Sequence, residues 1–315
     1  METSGHWKIA VSAVGRVASP YQRGHAMEAH VLKSELAGQW YMDDPVHLRR
    51  EVRIYLDSVN PRSVENLIGL LLPHAGYRYS GRVAAQGIKL LEGKTYKRVI
   101  VLGPSHKQAL FDCASLPDAT HFETPLGQVE LDVEAISNLR KREVFQSHPA
   151  AHTGEHSVGI QLPLLQEVLS EFKLIPVVCG PLSEHSSNEI AAGLLPLLGA
   201  ETLLVVSSDF THYGKGFNYV PFEDNIEENI RRLDMGAFRL IEQKKRREFL
   251  QYIQNTGATV CGRNSIAILL TLLADESEVQ LLQYDTSGNL TDDWQHCVSY
   301  ISASVSGAWK TNIES

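Results

Sequence analysis

Short apolar runs alternate with amphipathic stretches along most of this chain. Residues 66–72, 98–102, 172–178 and 202–206 are rich in branched apolar side chains and lack polar alternation, the pattern of strands buried on both faces. Between them, helices are predicted at 45–58, 81–92, 132–142, 157–170 and 186–198. Asp43 or Asp44 before Pro45 supplies an N-cap followed by a first-turn proline, and Asp132 opens the third helix. A short strand is expected near 113–116. The last third is more helical, with helices at 223–243, 245–254 and 261–275, and strands at 279–284 and 297–305 alternate as an antiparallel edge. Strands alternating with helices imply parallel pairing with helices on both sheet faces.

No repeat at a fixed period and no low-complexity linker divides the chain. The expectation is a single α/β domain over residues 36–310, its central sheet mostly parallel but mixed and flanked by helices. Residues 1–35 lack periodicity and read as an amino-terminal extension, a mobile arm. The aromatic pair in AGQWY at 37–41 is where order is expected to begin.

Three of the strands end alike. Residues 67–72 run into Pro73 and His74, the 98–102 strand is stopped by Gly103 and Pro104 before Ser105 and His106, and residues 202–206 run into SSDFTH with Asp209 and His212. Ligands of open α/β sheets bind outside the carboxyl ends of the strands. Two imidazoles, a carboxylate and a third imidazole are therefore expected at one rim.

Composition changes this picture little. A chain of 315 residues with 43% hydrophobic and 21% charged residues is of ordinary globular character. Its formal charge of −8 leaves no basic surplus to neutralise phosphates, which argues against nucleic acid as a partner. No apolar run approaches the roughly 20 residues that span a bilayer, and Lys8, Arg16 and Arg23 interrupt any leader-like core, so no membrane role and a cytoplasmic location are expected. Cys113, Cys179, Cys261 and Cys297 form no CxxC and read as reduced thiols.

The candidate chemistry centres on His74 and His106. Strand ends are rigid platforms, as a metal site requires, and this pair reads as ligands. A third ligand is open among Asp209, His212, His156 and Cys261. Cys261 precedes a helix whose amino-terminal dipole favours thiolate. Asp209 and His212 also suit an acid–base pair beside a bound substrate. His152 and His156 stand four apart in HTGEH, but Thr153 and Gly154 make that stretch a loop, which leaves His156 alone near the site. Ser105, Ser207 and Ser208 lie at the same rim without a GxSxG elbow, and no P-loop or GxGxxG is present.

AGQWY at 37–41, PHAGYRYSG at 73–81, LGPSH at 102–106, FETPLG at 122–127, EHSVGIQLP at 155–163, SSDFTHYG at 207–214, VCGR at 260–263 and DWQHCVSY at 293–300 resemble, in order, the motifs of the Memo family, which includes the AmmeMemoRadiSam system protein B. The resemblance implies a fold like that of class III extradiol, LigB-like dioxygenases. It also implies a mononuclear iron or copper site held by His74, His106 and Cys261, with Asp209 and His212 lining the pocket. The ring-cleaving relatives complete their site with a carboxylate, whereas Cys261 is a softer ligand suited to copper or another thiophilic metal. Gly159 replaces a glutamate common in the EHS motif. The function implied is metal-dependent redox chemistry on a small-molecule or peptide ligand. The alternatives are a non-catalytic pocket recognising a phosphorylated peptide, as Memo-like eukaryotic proteins do, and a metal-dependent hydrolase.

Overall fold

A computed structural model describes residues 30–313. The chain opens with β1 (Val31–Lys33) and α1 (Pro45–Asp57), whose Asp44 N-cap accepts from the N–H groups of Val46 and His47. β2 (Leu67–Leu72), α2 (Tyr77–Ile88) and β3 (Arg98–Pro104) follow, then β4 (Ala114–Ser115), the hairpin β5 (His121–Thr124) and β6 (Gly127–Glu130), α3 (Val133–Leu139) and β7 (Phe145–Gln146). Next come α4 (His156–Gly159), α5 (Leu162–Val168), β8 (Lys173–Cys179), α6 (Glu184–Leu194), β9 (Thr202–Ser207) and β10 (His212–Gly214). The last third holds α7 (Ile226–Glu242), α8 (Arg246–Thr256), α9 (Arg263–Leu272), β11 (Glu278–Thr286), α10 (Ser287–Thr291) and β12 (His296–Ser306). No described helix is long and apolar enough to cross a membrane.

Nine strands form the main sheet in the order β10-β12-β2-β9-β3-β8-β4-β7, with β11 also paired to β12. Its centre is parallel: β2, β9, β3 and β8 are fully or almost fully buried and read as continuous apolar runs because helices cover both faces. β10, β11 and β12 add an antiparallel flank. α2 packs on β2, β11 and β12 with α1 and α5 outside it, while α9 lies on β3 and β9 with α6 and α8 against it. Side chains such as Leu70, Leu71 and Leu72 are completely buried, each worth about 1.5–3 kcal/mol relative to exposure.

This is the mixed, helix-flanked α/β domain that the pattern predicts, with several local differences. The 98–102 strand does not stop at Gly103. It continues through Pro104 in register with Cys179, and the Pro104 carbonyl accepts from Ser157 Oγ at 2.8 Å. The expected helix at 157–170 is broken into α4 and α5, because Pro163 has no N–H to continue the ladder. α2 starts at Tyr77 rather than 81, behind Gly76. β12 is internal, between β2 and β11, rather than an edge. The three-stranded sheet β1-β5-β6 has no counterpart in the predicted pattern, and its β1 falls within the stretch read as an extension. Residues 1–29 of that stretch lie outside the described residues.

The crossover of the chain decides what meets at the rim. β9 inserts between β2 and β3, pairing Leu72 with Ser207 on one side and Leu102 with Val206 on the other. The segments after these three neighbouring strands carry His74, His106 and Asp209.

Candidate metal centre

His74 follows β2 and is 1% exposed. Its Nδ1 lies 2.9 Å from Ser207 Oγ, a hydroxyl that donates to the Ser157 carbonyl at 2.5 Å and so accepts from the ring. Gln161 Nε2 donates to the same hydroxyl at 3.0 Å. The proton is thereby held on Nδ1, and the Nε2 lone pair faces Cys261 Sγ at 3.0 Å.

His106 follows β3 and is fixed by a carboxylate instead. Glu155 Oε2 accepts its backbone N–H at 2.6 Å, and Oε1 accepts from ring Nδ1 at 2.9 Å and from the Ser157 N–H at 3.0 Å. Its Nε2 is likewise left free for a ligand. Burial works against the Glu155 anion, yet the hydrogen bonds and charge of His106 and the N–H of Ser157 bring its carboxyl down to about 2.

His156, at the start of α4, lies between two rings. It stacks on Trp40 at 4.3 Å and 17°, and on His106 at 4.3 Å and 19°. Its buried Nδ1 has no hydrogen-bond partner, and Glu155 Oε1 is 3.5 Å away. Donor atoms of His74, His106 and His156 all lie within 4.8 Å of one another, whereas Cys261, expected as the third ligand, lies outside this group with its Sγ 3.0 Å from His74 Nε2.

Cys261 is brought in by close backbone approach. Its Sγ accepts the Asp209 N–H at 3.1 Å, and the Gly262 N–H donates to Ser208 Oγ at 2.9 Å. A Cβ at Gly262 would lie 2.7 Å from the Ser207 carbonyl, so only glycine admits this approach of the turn before α9 to the end of β9. Burial first, then the Asp209 carboxylate, push the Cys261 thiol up, so in the metal-free protein it is protonated.

The remaining rim residues take distinct places. Asp209 is buried, and its Oδ1 accepts the His74 N–H at 2.7 Å, which anchors the turn after β2. Burial raises its carboxyl to about 7, against the opposing pull of that N–H. His212 Nδ1 lies 2.9 Å from the Phe210 carbonyl and 3.1 Å from that of Thr259, so it carries the proton and Nε2 is the free base. Below it, the fully buried Asp234 accepts from the N–H and hydroxyl of Thr211 at 3.1 and 2.6 Å.

Burial and neighbouring imidazoles keep the His74 and His156 rings neutral. The His74 pKa lies well below its ordinary value, through burial and then His156 and His106; burial and His106 take His156 down to about 4. Burial also lowers His212. A neutral imidazole is the ligand form.

All six predicted site residues thus gather at one rim, whereas His152 turns away to hydrogen-bond Ser115 Oγ at 3.0 Å. Glu155, Ser207 and Trp40 were not singled out from the sequence as site residues. Glu155 carries a legible signal: an acid beside His156 with no basic residue near it in the chain. Gly159 points away from the pocket, for a Cβ there would meet Leu36 at 3.2 Å and Phe122 at 3.3 Å. A cleft of about 1310 Å³ opens at the opposite end of the strands. Its three cations are already paired, Lys97 with Glu201 at 2.6 Å, Lys173 with Glu130 at 2.8 Å and Arg98 with Asp132 at 2.6 Å.

Comparison with known proteins identifies the family. The family model described as Memo-like protein matches residues 33–304. The chain is 31% identical over 290 residues to the protein memo-1 homolog of Caenorhabditis elegans, covering 87% of this chain and 82% of that one. It is also 31% identical to a MEMO1 family protein of Methanopyrus kandleri, over 84% and 95% of the two chains. Protein MEMO1 of Mus musculus is 31% identical over 248 residues, 76% of this chain and 83% of that one. A crystal structure of an uncharacterized protein from Escherichia coli K12 superposes with a TM-score of 0.44 at 9% identity, over 76% of this chain and 99% of that one. On the extent of the family match and the identity to these relatives, the chain belongs to the Memo family.

Proposed function

We propose that this protein is a metal-dependent redox protein whose centre is held by His74, His106 and Cys261, with His156 as a further donor. One observation carries the reading. The Nδ1 atoms of His74 and His106 are both pinned, to Ser207 and Glu155, which leaves the Nε2 atoms as the donors of these two rings, with Cys261 Sγ 3.0 Å from that of His74. His156 supports the same reading, since it offers a ligand nitrogen within 4.8 Å of those of His74 and His106.

Two imidazoles with a thiolate favour copper or iron over hard oxygen-seeking cations. Such a metal, when bound, supplies one-electron chemistry and an open position for dioxygen. Displacing the Cys261 proton accompanies its uptake, so affinity rises with pH.

The chain's own groups then divide the work. Glu155 and Ser207 orient the ligand rings. His212 presents an unprotonated Nε2 and takes a proton from a bound acidic hydroxyl. Asp209 holds the turn that carries His74, and its raised carboxyl buffers a proton nearby. Trp40 and His156 wall the centre with flat rings and restrict water. Recognition of a phosphorylated peptide draws no support from the electrostatics, because the His74 and His156 rings are neutral and the Glu155 anion lies against His106.

The test is metal analysis of protein purified without chelators, beside His106→Ala and Cys261→Ser, followed by oxygen-uptake measurements. Loss of iron or copper in both variants is expected. Equal metal content in all three overturns the reading, and turnover of an ester or phosphoester without oxygen uptake replaces it with hydrolysis.

A further inference from the structure

The ring stack does not end at the centre. Trp40, stacked on His156, is followed in the chain by Tyr41, whose ring centroid lies 5.3 Å from that of Tyr77; Tyr77 in turn meets Tyr55 edge-on at 6.5 Å. Tyr77 also donates its backbone N–H to the Trp40 carbonyl at 2.8 Å. Tyr41 and Tyr77 are buried at 4% and 1% exposure, while Tyr55, on α1, reaches partial exposure. Gly81 permits the last approach, since a Cβ there would lie 2.8 Å from Tyr55 Cε2. Oxidisable residues thus lead from the candidate centre to the surface beside Glu51, Trp40 being joined to the tyrosines through its peptide bond to Tyr41 and the backbone hydrogen bond from Tyr77.

We propose that Trp40, Tyr41, Tyr77 and Tyr55 form an electron-transfer relay that delivers single electrons from the surface to the metal centre. The proposal rests on the redox reading of that centre. A metal held by His74, His106 and Cys261 would, with peroxide as the oxidant, accept the electron, and the ultimate donor would be a soluble one-electron reductant of the enediol class. One electron would leave the Trp40 indole for the oxidised metal. The vacancy is refilled from the tyrosines. Tyr77 donates its phenolic proton only to the Ile160 carbonyl at 2.8 Å, which is no base, so the vacancy does not rest there. Tyr55 hydrogen-bonds to Glu51 Oε1 at 3.3 Å, and that carboxylate accepts the proton as Tyr55 gives up its electron. The enediol then returns an electron to Tyr55, and Glu51 returns the proton.

The experiment treats copper-loaded protein with hydrogen peroxide, without and with ascorbate, and locates oxidised residues by peptide mass spectrometry beside freeze-quenched radical spectra. Oxidation of Trp40 and Tyr55 that requires the metal and is suppressed by ascorbate is expected. In Trp40→Phe, Tyr55 oxidation is lost while oxidation of Cys261 and the ligand histidines increases. In Tyr55→Phe, a milder surface change, oxidation accumulates at Trp40. Tyr55 oxidised equally in Trp40→Phe or in metal-free protein overturns the relay, as does metal-dependent damage confined to Cys261 and the histidines. Absence of metal-dependent oxidation at any residue overturns the redox reading itself and the relay with it.

Discussion

Glu155 grips His106 twice, through the backbone N–H at 2.6 Å and ring Nδ1 at 2.9 Å, from a carboxylate that is itself almost fully buried. A buried acid with no arginine or lysine beside it depends on the donors that reach it, and here three N–H groups converge on it, two of them from His106. In Glu155→Gln an amide NH2 must face one of those donors. Metal affinity is expected to fall about 10–100-fold, the range for losing such an outer partner. Competition against a chelator of known affinity measures it; unchanged affinity would show that Glu155 serves folding only.

Cys261 sets which metal is preferred. Cys261→Ser removes the soft donor while keeping a small polar side chain able to accept the Asp209 N–H. Copper affinity is expected to drop more than zinc affinity. Parallel titrations with the two ions check this, and an equal drop would indicate that sulfur does not reach the metal.

Gly103 leaves space for Ser157. A Cβ at Gly103 would sit 2.8 Å from Ser157 Cβ and 3.2 Å from its backbone carbon, in the turn that positions Glu155 and His156. Gly103→Ala should cost about 1–3 kcal/mol by overpacking and weaken metal binding as well. Denaturant unfolding and metal titration of the variant provide the two readouts.

Buried neutral histidines should make the metal-free protein acid-sensitive. Burial takes His152 from 6.5 to about 4, so between those values the unfolded chain binds a proton that the folded ring refuses. Stability is complete above about pH 6.5 and is lost as pH falls towards 4, by about 3 kcal/mol from this residue at about 1.4 kcal/mol per unit. His74 and His156 act in the same direction. Unfolding curves across this range should slope less in His152→Gln, and an identical slope would exclude His152 as a source.

The alternation of apolar runs and amphipathic stretches was enough to place the central strands and most helices, because burial on both faces leaves a strand no polar positions and a covered helix only one polar side. The same pattern put His74, His106 and Asp209 just beyond strand ends, where a rigid rim was the natural inference. It misjudged the stretch after His156, where Pro163 outweighed an otherwise helical pattern, and it passed over β1, β5 and β6. The last two are short strands facing water on one side, and their pairing with β1 depends on a segment distant in sequence. Only the tertiary structure decided that β9 lies between β2 and β3, that the Gly262 turn packs against the end of that strand, and that Glu155, Ser207 and Trp40 fix the rings. The physical reason is range. Periodicity reports what each segment buries, whereas a ligand's tautomer and direction are set by hydrogen-bond partners such as Ser207 for His74, 133 residues away, which only the crossover of the chain brings together.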